Sequence, residues 1–351
     1  MEKIPLTPSA QLHGHKAPVL CAKYAEESSL GSNILASGSE DQTCRLWDLR
    51  QNRVVKGIQK LEDAVSCIAF GHQFELYLSV GTKVYTYDLR NDSMIINEPI
   101  QQYEFSQDEI NSIDIHPNGK YLATADDEGE IKVIDLERHK LYKKLVKKHS
   151  NISMAVRFRQ KKPWEVWSGG LDCRLFQWDF SRGTPLNGYD TNASEPSSAQ
   201  MFNPPFVYSI DTSFSGQWVA AGLGDCSIQI LGEVGKSKKK KKQTCHARLM
   251  DGHTNLVNCL TFLPTTQQEQ SSPEQLLSGS ANGILARWEL DEDQILTNDT
   301  LVPKTVYQLD NSMARLNWIE SCGIQGDAHI IATAGVGVQS NQGILNLYSV
   351  I

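Results

Sequence analysis

Imidazole and carboxylate recur together along this 351-residue chain, at His15 with Asp41 and at His149 with Asp172, amid abundant serine. Such a combination is raw material for nucleophilic or acid–base catalysis, in which an imidazole oriented by a carboxylate takes a proton from a hydroxyl. The surroundings do not support that use. No Gly-x-Ser-x-Gly elbow, phosphate loop or His-Glu-x-x-His pair occurs. What recurs is a tryptophan: Trp47 follows His15 and Asp41, Trp178 follows His149 and Asp172, and Trp288 follows His253. A buried imidazole costs free energy unless both nitrogens are paired, and a turn carboxylate or amide supplies a partner. The three histidines are therefore read as internal hydrogen-bonding groups. No catalytic residue, metal ligand or cofactor is expected.

A second chemistry is ionic. Trp47-Asp48-Leu49-Arg50 and Tyr87-Asp88-Leu89-Arg90 each set an arginine two residues past an aspartate. Arginine grips carboxylates bidentately, so two such endings side by side suit an acidic patch on a partner. Trp178-Asp179-Phe180-Ser181-Arg182 displaces its arginine by one place, and the motif is not carried there. The eight cysteines form no Cys-x-x-Cys pair and sit mostly in apolar runs, which reads as buried thiols of an intracellular protein. A net charge of −7 argues against a general nucleic-acid binder. No basic and apolar leader and no long apolar run is present, so neither secretion nor a membrane span is expected, and the cytoplasm, the nucleus or both stay open.

The elements that must position these groups come from a repeat. One phrase, apolar–x–small–x–x–bulky, reads Val19-Leu-Cys21-Ala-Lys-Tyr24, Val65-Ser-Cys67-Ile-Ala-Phe70, Ile110-Asn-Ser112-Ile-Asp-Ile115, Val257-Asn-Cys259-Leu-Thr-Phe262 and Met313-Ala-Arg315-Leu-Asn-Trp318. Looser copies lie near Ser153–Phe158 and Val207–Thr212, making seven. A strand rich in small residues follows most of them, as in Ile34-Leu-Ala-Ser-Gly-Ser, and suits sheets crowded around an axis. A third strand then ends at Trp47-Asp48, Tyr87-Asp88, Ile134-Asp135, Trp178-Asp179, Ile230-Leu231, Trp288-Glu289 and Leu347-Tyr348. Periods of this length imply one four-stranded blade per repeat and an all-β, seven-bladed propeller. The blades are expected at about 13–58, 59–103, 104–146, 147–190, 204–250, 251–310 and 311–351, the last completed by 3–12. Closure of the ring would remove bare strand edges.

The Gly-His … Trp-Asp pattern, from Gly14-His15 and Gly252-His253 to Trp47-Asp48, resembles the WD-repeat family. That resemblance implies a non-catalytic, monomeric scaffold that holds other proteins. It implies too that His15, Asp41 and Trp47, like His149, Asp172 and Trp178, belong to a hydrogen-bonded set. The sixth blade departs, with Asn282 where the aspartate falls. Ile34 through Arg50 also resembles the box of cullin-4 ubiquitin-ligase substrate receptors, whose last arginine docks on the ligase's propeller adaptor. The candidate adaptor residues are then Trp47, Asp48, Arg50, Asp88 and Arg90. Asp108–Leu136 and His149–Arg159 are similar, beyond the generic repeat, to one WD-repeat protein regarded as a candidate receptor of that kind.

The opposite, narrow face offers another reading. Asp63, Asp108, Glu109, Asn151, Asn255 and Asn311 precede inner strands, and the three carboxylates would favour a basic peptide, as in a chromatin-type reader. Solvated loop polarity explains them equally well. Insertions at Lys236–Lys242, Thr265–Pro273 and Asp291–Lys304 would share the face of the two arginine endings, across the ring from them, while Gly183–Pro205 links two blades. The lysine run reads either as an import signal or acidic-partner patch, or as a solvated loop.

Overall fold

The seven phrases become the innermost strands, a, of seven sheets, and strands b, c and d follow outward in chain order. The computed structural model describes residues 2–26, 28–146, 149–192, 203–234, 243–264, 273–297, 300–323, 329–338 and 342–350. The chain is an all-β, seven-bladed propeller whose one described helix is the short Glu292–Thr297. Blade one runs through Val19–Tyr24, Ile34–Ser39, Cys44–Asp48 and Arg53–Ile58. Blade seven consists of Met313–Gly323, His329–Gly337 and Gly343–Val350, with Ala10–Gln11 antiparallel to the last of these.

Every strand a carries a bulge at one place. The register skips between Val19 and Cys21, Val65 and Cys67, Ile110 and Ser112, Ser153 and Ala155, Val207 and Ser209, and Val257 and Cys259. The extra residue bends the strand and turns its lower half toward the axis. In blade seven the register skips twice, between Met313 and Arg315 and between Leu316 and Trp318, and the second is the matching one, because Glu320 pairs with Ala332 as Lys23 pairs with Ala36. The phrase there is therefore Leu316-Asn-Trp318-Ile-Glu320-Ser321, three residues later than Met313–Trp318. Trp318 occupies the slot that is small in every other blade. It packs against buried clusters between blades one and two, seven and one, and two and three, so its ring reaches across the axis.

The second residue of the phrase ties blade to blade. Ser66 Oγ donates to the Ile110 carbonyl at 2.5 Å, Asn111 Nδ2 to Ser153 at 3.2 Å, and Asn258 Nδ2 to Leu316 at 2.6 Å. Asn317 Nδ2 donates to the Val19 carbonyl at 3.0 Å, joining the last blade to the first at the axis. Outside, Ser9 and Leu12 donate their backbone N–H to the carbonyls of Leu347 and Leu345. Ile4–Leu6 does not continue on blade seven. It lies parallel to Thr305–Leu309, the outer strand of blade six. Two other segments behave alike: Ile95–Ile96 lies parallel to Gly57–Ile58 of blade one, and Thr300–Leu301 to Arg248–Leu249 of blade five.

Leu12 is 3 % exposed, wedged among Trp47, Leu345 and Leu347 where blades seven and one meet. Leu12→Ala should lower unfolding free energy by about 2–5 kcal/mol. Thermal denaturation should show one transition, displaced downward as a whole. A separate early transition would mean that the N-terminal segment does not close the ring.

Candidate functional site

The histidines are built into the walls. His15 sets Nε2 2.8 Å from Ser37 Oγ and Nδ1 3.0 Å from Asp41 Oδ2, while Trp47 Nε1 donates to the same Ser37 at 2.8 Å. His149 repeats this with Ser168, Asp172 and Trp178, each contact at 2.9 Å. Asp41 also accepts the Lys16 N–H, and Asp172 the Ser150 N–H, so the carboxylate stitches the loop ahead of strand a to the b–c turn. Gly252 is dictated by space: a Cβ there would stand 2.5 Å from the Trp288 ring. Ser37 and Ser168 are wholly buried and each already accepts a tryptophan N–H, so neither is presented to a substrate.

Blade six solves the same problem without a carboxylate. His253 lies between Ser278 Oγ at 2.7 Å and Ser280 Oγ at 2.9 Å, and Ser280 in turn donates to Asn282 Oδ1. The sequence reading gave Asn282 the aspartate's place, but Ser280 stands between it and the imidazole. Burial, unopposed by any anion, pushes His253 down to about 3. In Asp41 burial is outweighed by hydrogen bonds from His15 and Thr43, which hold the carboxyl below its usual range. Blade three replaces the set altogether. Lys132, 3 % exposed, lies 2.6 Å from Asp126 and 2.8 Å from Glu130, and Lys144 closes on Glu130 from the outer strand.

The axis holds a charged group that was not singled out in the sequence. Lys23, Asp114, Arg157, Asp211 and Glu320 all occupy the fifth place of the phrase and line a cavity of about 140 Å³. Lys23 Nζ pairs with Glu320 at 2.5 Å. Arg157 lies 3.8 Å from both Asp114 and Asp211, with its guanidinium over the Trp318 ring at 5.9 Å. Each aspartate accepts a backbone N–H from the next blade, Phe158 and Phe262 respectively. Burial, against the pull of Arg157, pushes Asp114 up to about 6. The group contains paired ions and no nucleophile. Its signal in the sequence was the recurrence of charges of both signs at one phrase position.

Two rims remain. Where strand c turns toward d, its first free N–H bonds the a–b connection of the same blade: Leu49 to Asn33, Leu89 to Phe74, Leu136 to Lys120 and Phe180 to Trp164. These connections therefore share the bottom face. Arg50 donates to Asp48 through Nε at 2.9 Å and Nη2 at 2.6 Å, and Arg90 does the same to Asp88 at 3.0 and 2.6 Å. Trp47 is buried beneath and offers no surface. The pairing continues where the motif was not followed, with Arg138 on Asp135 at 2.7 Å and Arg182 on Asp179 at 3.3 Å.

On the narrow face Asp63, Asp108, Glu109, Asn151, Asn255 and Asn311 are all exposed. Asp63, Asp108, Asn151 and Asn255 each accept the N–H of the following residue. Glu109, though exposed, is raised by partial desolvation and then by the charges of Asp127, Asp63 and Asp108, which lie in the same sector. The described part of the Asp291–Lys304 insertion includes the helix and the strand borrowed by blade five. Lys236–Lys242, most of Thr265–Pro273 and the middle of Gly183–Pro205 lie outside the described residues. The eight cysteines are unpaired and all but Cys226 are buried.

Comparison with known proteins adds two findings. The WD domain, G-beta repeat model matches residues 6–48, 97–135, 200–230 and 243–289. The chain is also 28 % identical over 349 residues to the WD repeat-containing protein 53 homolog of Dictyostelium discoideum, across 92 % of this chain and 90 % of that protein.

His253 carries a testable consequence. An unfolded histidine takes its proton near pH 6.5, whereas the folded one stays neutral down to about 3. Its contribution is therefore complete above pH 6.5 and is lost as pH falls toward 3. His253→Gln should flatten the dependence of stability on pH between 6 and 4 by about 1.4 kcal/mol per pH unit, measured by urea unfolding. An unchanged slope would show that His253 is already charged in the fold.

Proposed function

For a chain that is a seven-bladed WD-repeat β-propeller and an interaction scaffold, we propose the work of a substrate receptor in a cullin-4 ubiquitin ligase. The observation that carries this reading is the pair of ordered arginines on adjacent blades. The Arg50 and Arg90 side chains are 66 % and 63 % exposed, yet each is held along one edge of its guanidinium, through Nε and Nη2, by its own aspartate. Exposed ion pairs contribute little to stability, so folding does not account for the arrangement. Preorganisation does: an arginine fixed before contact loses less side-chain freedom when it meets a carboxylate or carbonyl of a partner. The Asp48 and Asp88 carboxyls, held below their usual range by these arginines, stay ionised at neutral pH and keep the forks oriented.

Arg50→Ala combined with Arg90→Ala should abolish co-purification of the ligase adaptor from cells while the melting temperature stays put. Undiminished recovery of the adaptor by the double variant would remove the proposal.

The convergence of Asp63, Asp108, Glu109 and Asp127 favours a second reading, a grip on a basic peptide at the narrow face. Charge reversal at Asp63 and Asp108 should then abolish salt-sensitive binding of Lys/Arg-rich peptides. Binding that ignores salt, or that survives the reversal, counts against it.

A further inference from the structure

Between blades three and four the bottom face holds an aromatic anchor inside a basic border. Trp164 stands in the a–b connection of blade four and is 44 % exposed, although the other tryptophans with a described environment, Trp318 aside, are fully buried. Its ring leans on Phe180 at 5.3 Å and on Tyr121 at 6.2 Å, and Tyr121 meets Tyr142 at 4.9 Å. The loop that presents it is fixed. His116 Nε2 lies 3.1 Å from the Pro163 carbonyl, the Trp164 carbonyl accepts the Phe180 N–H at 3.0 Å, and Arg159 spans from Glu165 to the carbonyls of Gly216 and Gln217. His116 also accepts the Asn118 N–H at Nδ1, so the neutral ring is satisfied on both nitrogens.

The charge around this ring differs from that of the chain as a whole. Residues 116–120, 135–139, 159–165 and 179–183, at the bottom of these two blades, contain six lysines and arginines against four carboxylates, in a protein whose net charge is −7. Arg138 and Arg182 are 72 % and 78 % exposed, Lys120 is 52 % exposed, and Lys161 is exposed beside Trp164. A shallow, open depression lined by His116, Pro117, Asn118, Lys161, Lys162 and Pro163 lies alongside. An exposed tryptophan held by a fixed loop, with exposed arginines on the same face, has the composition of an interface hot spot.

We infer that the bottom of blades three and four docks an acidic protein segment that lays one apolar side chain against Trp164 and sets its carboxylates on the surrounding lysines and arginines. The carboxylates already present, Asp135, Glu137 and Asp179, orient Arg138, Lys120 and Arg182 as Asp48 and Asp88 orient their arginines. This surface is separate from Arg50 and Arg90 and does not depend on the adaptor reading.

The test uses the full chain and a fluorescent twelve-residue Asp/Glu peptide with one central leucine, followed by anisotropy at low and high salt. Trp164→Ala should weaken binding about tenfold or more, and Trp164→Phe should restore most of it. Lys161→Glu with Arg182→Glu, both at exposed positions, should weaken binding and flatten its salt dependence. Arg50→Ala with Arg90→Ala should leave the peptide affinity unchanged. The inference is overturned if the wild-type chain does not bind the peptide, if Trp164→Ala binds like wild type while melting normally, or if an oligothymidylate of equal charge binds more tightly than the peptide.

Discussion

Seven inner strands converge on one axis, and the space left between them dictates the rest of the molecule. A Cβ on Gly38 would stand 2.5 Å from Val65 of the next blade, and one on Gly169 would stand 2.2 Å from Val207. Facing sheets this close admit only small residues where they meet, hence the Ala-Ser-Gly-Ser character of strand b and the cysteine, serine or alanine in the third place of the phrase. The same crowding leaves a hollow at the centre, which takes one large ring. Blade seven provides it. Because Trp318 touches clusters on several blades, the inner strands pack on one another and on a common filler at once.

The architecture was plain in the residues for this reason. Small side chains at a fixed interval and a closing aromatic are direct consequences of the geometry, and seven copies leave little room for another fold. The register of blade seven was not plain, because the phrase was sought by its small third residue and blade seven departs at that residue. The better guide was the second residue. Ser66, Asn111, Asn258 and Asn317 all reach for the carbonyl that opens the next blade, and Asn317 places Trp318 correctly.

The candidate surfaces were legible in part. His15, His149 and His253 could be set aside from chemistry because the hydroxyls they meet, on Ser37, Ser168 and Ser278, are wholly buried and already accept the tryptophan N–H of their own blade. The arginines at Arg50 and Arg90 were visible as a motif, but Arg138 and Arg182 make the same pair one residue later, with the aspartate three places back, and a fixed spacing cannot find them. Trp164 was hidden for a different reason: in a pattern whose tryptophans mark buried strand ends, one on a loop looks like noise until its exposure is seen.

Seven blades have seven outer edges, and each is a template on which another copy of the chain could polymerise. Each described edge is blunted in its own way. Blades one, five and six are covered by a segment borrowed from elsewhere in the chain. Blades two and seven end in strands of three and two residues, too short to recruit a partner. Blade three presents Lys140-Leu-Tyr-Lys-Lys144, where like charges oppose stacking, and the edge of blade four is interrupted by Pro185. The circumference is thereby made inert toward fibril growth, and selection for recognition is free to act on the loops above and below it.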